Sequence, residues 1–110
     1  MIKILNKNKD DCSCGEYIGR GSPLGNPFDW TDSKHYQVKY QVKDRATAIA
    51  NYSEYLRHRL LHGDPLICGA MNKLWKIWMK EGKLNLICFC SPLDCHGRVI
   101  REILEETRKD

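Results

Sequence analysis

The segment Cys88-Phe89-Cys90-Ser91-Pro92-Leu93-Asp94-Cys95-His96-Gly97 gathers thiols, an imidazole and a carboxylate within ten positions. These are the side chains that act as nucleophiles, proton carriers and metal ligands. Cys88 and Cys90 are two apart, so on a strand they share a face, with Phe89 on the other. Cys90 falls at the end of the apolar run, and Cys95 and His96 at or beside the start of the next helix. Three readings compete. In one, Cys95 is a reactive or substrate-polarising thiol, because a helix N-terminus favours the thiolate and the neighbouring His96 could exchange the proton. Adjacent helical residues do not face each other, however, so Cys95 and His96 do not form a simple nucleophile–base pair. In the second, Cys12, Cys14, Cys90, Cys95 or His96 ligate zinc, although Cys-x-Cys is tighter than the usual Cys-x(2–4)-Cys spacing. In the third, the cysteines pack as small apolar groups and His96 bonds a backbone carbonyl or a ligand.

A second chemical segment lies near the front. Gly19-Arg20-Gly21-Ser22-Pro23-Leu24-Gly25-Asn26-Pro27-Phe28 holds three glycines and two prolines, which forbid regular structure and fix a shaped loop. Successive N–H groups in such a loop can cradle an anion, and Arg20 adds a fork for phosphate or carboxylate. The loop lacks the Gly-Lys-Ser/Thr ending of a P-loop, and no helix signal follows it as in a dinucleotide fingerprint. The bland alternative is a rigid turn with Phe28 and Trp30 tucked into the core. His58 and His62, four apart, could hold a metal but more often face solvent.

The elements that must position these residues follow from periodicity. Leu84, Leu86, Ile87 and Phe89 read as a buried strand. Ser91-Pro92 stops it, with Ser91 as a helix cap and Asp94 in the first turn. Val99, Ile100, Ile103 and Leu104 then repeat at helical spacing, with Arg108 and Lys109 near the end. Residues 1–5 read as a first strand, 6–15 as a loop and Tyr17-Ile18 as a short strand. Residues 31–43 are ambiguous, because Tyr36, Val38, Tyr40 and Val42 alternate as in a strand. Asp44 caps a helix over 45–61, striped by Ile49, Tyr52, Leu56 and Leu60 and ended by Gly63-Asp64-Pro65. Residues 66–69 look like a strand fragment, with Cys68 a small buried hydrophobe. Met71, Leu74, Trp75, Trp78 and Met79 mark a helix over 70–80, with both tryptophans in the core. Strand and helix signals alternate, so the expected fold is one small α/β domain over residues 1–110. Its short, mostly parallel, Rossmann-like sheet is flanked by helices, and strand order is open.

With 110 residues, 42% hydrophobic and 29% charged, the chain suits one globular domain. No apolar run approaches a membrane span, and the first residues lack a signal-peptide pattern, so a cytoplasmic protein without a membrane partner is expected. A reducing compartment disfavours disulfides among the six cysteines. The net charge of +4 is mild and its signs are mixed, which demands no nucleic-acid surface.

The run Tyr17-Ile18 with Gly19 through Phe28, together with Cys88 through Gly97, resembles the signature of a family of small bacterial and phage domains, domain of unknown function 4326. Arg45, Ala48-Ile49, Tyr52 and Tyr55-Leu56 are similar to its middle helix, and the likeness covers about residues 17–104. Cys12 and Cys14 fall outside the pattern, which weakens the zinc reading. The resemblance implies that both segments meet at one site, and such families resemble nucleotide-centred α/β domains. The expectation is therefore an anionic small-molecule ligand such as a nucleotide or nucleoside, held between the 19–28 loop and the 91–97 helix start, with glycosidic or phosphate chemistry open. Gly19, Arg20, Ser22, Gly25, Asn26, Cys90 and Gly97 are the candidate binding residues, and Cys95, His96 and Asp94 the candidate catalytic ones. No metal or other cofactor is expected. The alternatives are a non-enzymatic phage-type protein that binds a host protein or nucleic acid, and a structural zinc domain.

Overall fold

The structure is a computed structural model that describes residues 1–10, 14–31, 33–89 and 95–109. Its centre is β5 (Leu84–Cys88), in which Leu84, Leu86, Ile87 and Cys88 are buried. Leu84, Leu86 and Cys88 share one face of the strand and Ile87 lies on the other, with half-buried Asn85 the one polar residue in the run. β1 (Ile2–Asn6) pairs with it in parallel, Ile4 opposite Leu86, and β2 (Glu16–Tyr17) pairs in parallel on its other side. The sheet order is therefore β1-β5-β2. A second parallel pair joins β3 (Phe28–Asp29) to β4 (Tyr40–Gln41). Every strand pairing among the described residues is parallel, in an α/β domain.

α1 (Arg45–Leu61) has the expected bounds, and the Asp44 side chain accepts the Thr47 N–H at its start. α2 (Pro65–Glu81) begins earlier than the expected 70, so residues 66–69 are helical and not a strand fragment. The reason is local. Asp64 accepts the N–H groups of Leu66 and Ile67, and Pro65 takes the first helical position, where its missing N–H costs nothing. The segment that stops α1 is thus also the start of α2. Cys68 is consequently half-buried on a helix, its thiol 3.8 Å from the Leu60 carbonyl, and not a core residue. Gly82 ends α2 in the left-handed conformation, φ 73°. Of the expected stripe, Met71, Leu74 and Trp78 are buried, Trp75 is half-buried, and Met79 is exposed.

α3 (His96–Lys109) packs against α1, β1 and β5. The expected cap at Ser91 and first-turn Asp94 lie outside the described residues, among which the helix starts at His96. The alternating 36–42 stretch yields only the two residues of β4, because its partner β3 is no longer. Trp30 is 43% exposed, and not tucked into the core.

Candidate functional site

The three parallel strands of the main sheet end together. Asn6, Tyr17 and Cys88 close β1, β2 and β5 on one side, where α/β sheets commonly bind ligands. Asn6, buried, pins that edge by donating from Nδ2 to the Phe89 carbonyl at 3.0 Å. Ile18, just past β2, donates its N–H to the Ile87 carbonyl and accepts a 2.7 Å bond from His96. The end of β2, the end of β5 and the start of α3 are thereby locked together.

A cavity of about 420 Å³ opens at this edge. Both sequence segments line it: Gly19, Arg20 and Asn26 from the front loop, and Cys88, Phe89, Cys95 and His96 from the back. The expected residues Ser22, Gly25 and Gly97 do not line it. Ser22 bonds the Gly19 carbonyl and borders a separate groove beside α2. Gly25 serves the loop itself, since a Cβ there would meet the Arg20 Cα at 2.8 Å. Gly97 lets α3 press onto the sheet, where an added Cβ would sit 3.1 Å from Ile18 Cδ1 and 3.4 Å from Ile4 Cδ1. Cys90 and Asp94 lie outside the described residues, as does Cys12.

Arg20 is largely committed to the fold. Nε donates to the Asn26 carbonyl at 2.9 Å, and Nη2 donates to the Phe28 carbonyl at 3.1 Å and to Asp29 Oδ1 at 3.2 Å. Only the Nη1 edge makes no bond among the described residues. Asn26 is committed too, accepting from the Phe28 N–H and donating to the Ala48 carbonyl at 3.4 Å. The loop N–H groups of Ser22 and Gly25 bond loop carbonyls, and that of Gly21 bonds Gln37 Oε1. The glycine loop is therefore held mainly by its own bonds, and less of it faces a ligand than a phosphate cradle would require.

Asp29 is a buried carboxylate in the cavity wall. Burial opposes its ionisation. The N–H of Ser33, the Thr31 hydroxyl and Arg20 outweigh that cost, holding its carboxyl below the ordinary 3.8. His96 is 8% exposed. Burial depresses its proton affinity, the bond to Ile18 opposes this, and the Arg20 charge adds to the depression, leaving it below the ordinary 6.5. The imidazole is therefore neutral at neutral pH. Because a carbonyl can only accept, Nε2 carries the proton, and Nδ1 is left as an acceptor. The Tyr52 ring meets the imidazole edge-to-face at 5.0 Å and fixes its plane, while its hydroxyl donates to the Leu24 carbonyl.

Cys95 is buried in front of α3. Its Sγ accepts the Gly97 N–H at 3.3 Å, as a helix cap does, and lies 3.5 Å from Cys88 Sγ. Among the described residues, no group of three or more His, Cys, Asp or Glu side chains could hold a metal ion. His58 and His62 lie with ring centroids 4.2 Å apart and planes tilted by 46°, both exposed at the end of α1. No described helix is long and apolar enough to cross a membrane.

Several lining residues escape a reading of the sequence. Trp30, Thr31, Ser33, His35 and Arg45 all border the cavity. The Arg45 guanidinium lies 4.9 Å from the centre of the Trp30 ring. One signal for them is present. Asp29 with Thr31 and Ser33 at +2 and +4 is the pattern of a carboxylate bonding the backbone just ahead of it, and it marks a second shaped loop.

No curated protein and no solved structure matches the chain. Residues 3–106 match the family described as Domain of unknown function (DUF4326), nearly the whole length, and the chain belongs to that family.

Proposed function

We propose that the cavity binds an anionic nucleotide-type ligand, with its phosphate toward Arg45 and its base against the exposed rings of Trp30 and Phe89. The observation that carries this reading is one cavity lined by the first turns of two helices, α1 through Arg45 and α3 through His96. Helix starts carry partial positive charge and favour anions. Arg45, at the first position of α1 and over the Trp30 ring, borders the cavity with a guanidinium of the kind that binds phosphate. The volume of about 420 Å³ lies in the range of small-molecule sites. Trp30 is 43% and Phe89 50% exposed, so both offer ring faces for stacking. His96, neutral and with one unprotonated nitrogen, is the group suited to take a proton if the bound ligand is cleaved at a glycosidic or phosphate bond.

A thermal-shift panel of nucleotides, nucleosides and free bases tests the reading. A nucleotide at a hundredfold excess over its Kd should stabilise by about 2.7 kcal/mol, raising Tm by roughly 10 °C. Arg45→Gln and Trp30→Ala should each reduce that shift. Arg20→Ala is not the variant of choice, because Arg20 holds the loop together. A flat panel, with no nucleotide raising Tm, refutes the proposal.

A further inference from the structure

We infer that the cavity receives a nucleotide belonging to a single-stranded nucleic acid, whose adjoining residues run over an aromatic and basic track formed by Trp30, Tyr36, Lys39, Tyr40 and Lys43. The inference deepens the nucleotide reading and rests on it. Three large rings in this stretch are exposed: Trp30 at 43%, Tyr40 at 56% and Tyr36 at 71%. Each joins the cavity directly or through one further ring. Trp30 lines it. Tyr40 stacks on Phe28, centroids 4.9 Å apart and planes 23° apart, and Phe28 lines it. Tyr36 stacks on His35 at 4.5 Å and 27°, and His35 lines it. Scattered exposed aromatics are ordinary, but these three radiate from one opening.

The charge on the same stretch is mostly positive. Lys34, Lys39 and Lys43 are exposed, and the stretch from 30 to 43 holds one acid, Asp32, against these three lysines. Of the acids beside it, Asp29 is buried against Arg20, and Asp44 caps α1. A free mononucleotide needs only the cavity. Exposed rings interleaved with cations are what a single strand uses, bases stacking on the rings while lysines follow the phosphates. A protein partner could also use the tyrosines, but a stretch with three lysines to one acid complements a polyanion.

Fluorescence anisotropy with labelled oligo-dT and oligo-U of about 12 nucleotides, matched against the corresponding mononucleotides, tests this. At least one oligomer should bind about tenfold or more tighter than its mononucleotide, the DNA and RNA arms showing which sugar is preferred. That affinity should fall as salt rises. Tyr36→Ala, and separately Lys39→Glu/Lys43→Glu, should remove most of the oligomer advantage and leave the mononucleotide thermal shift intact. The double charge reversal should also flatten the salt dependence. Oligomers binding no tighter than mononucleotides overturn the inference while the small-ligand reading stands. The track is equally overturned if both variants bind oligomers as the parent does. Binding of neither oligomer nor mononucleotide overturns both.

Discussion

The imidazole of His96 has one nitrogen committed to the Ile18 carbonyl and one lone pair remaining, and its burial sets when it can be charged. Its folded proton affinity lies below the ordinary value near 6.5. Above that pH the ring is neutral in both folded and unfolded chains and contributes no pH dependence. As pH falls through 6.5 the unfolded chain takes up a proton that the folded one resists, so stability declines. Asp29, depressed from 3.8, acts in a lower window, because its ionised form stabilises the fold until pH falls through the folded value. Acidification should therefore lower Tm in two stages, and each tenfold difference in proton affinity is worth about 1.4 kcal/mol. His96→Gln keeps a donor for Ile18 but cannot titrate. Tm measured from pH 8 down to about 3 should lose the first stage in that variant and retain the second. An unchanged profile would show that His96 is not the group responsible.

At the scale of elements, caps decide what can be read from sequence. Asp44 announces α1 correctly because one carboxylate and an apolar stripe agree. Asp64-Pro65 reads as a stop when it is also a start, which hides the first turn of α2. β2, β3 and β4 are two residues each, too short for alternation to register, and their pairing depends on partners distant in sequence. The same gap explains Trp30 and Arg45, whose place at the cavity follows from β3 and α1 being packed together. The two segments singled out by their chemistry do line one cavity. Much of the front loop is nonetheless spent on its own bonds, which composition cannot reveal. At α3 the cap is a sulfur, and this separates a structural Cys95 from a reactive one. Cys95→Ser retains an acceptor for the Gly97 N–H and should cost little, whereas Cys95→Ala removes it and should cost about 1 kcal/mol in urea unfolding. If ligand turnover exists and Cys95→Ser keeps both stability and turnover, the thiol is a cap. If stability is kept and turnover is lost, the sulfur takes part in the chemistry.

Across the whole molecule, the site and the core share one strand. β5 lies between β1 and β2, α2 and α3 pack on it, and its last residue, Cys88, borders the cavity. Leu86, at its middle, is fully buried. Leu86→Ala should cost about 2–5 kcal/mol, a large part of the roughly 5–15 kcal/mol that holds a domain of this size. Because Asn6, Ile18 and Phe89 all bond at the end of this sheet, ligand response should fall together with the folded fraction. The contrasting change is Arg57→Ala. Its paired bonds to Glu106, at 2.8 and 3.1 Å, tie α1 to α3 across exposed surface, with side chains 44% and 57% accessible. Solvent-exposed pairs of this kind contribute about 0–1 kcal/mol, so stability and ligand response should both stay near those of the parent. Urea unfolding followed by circular dichroism, with ligand-induced Tm shifts on the same samples, separates the two. A Leu86→Ala protein that stays folded in water but no longer responds to ligand would mean that β5 shapes the cavity through more than global stability. Loss of response in Arg57→Ala at full stability would mean that the relative placement of α1 and α3, whose first turns both face the cavity, is set at their far ends.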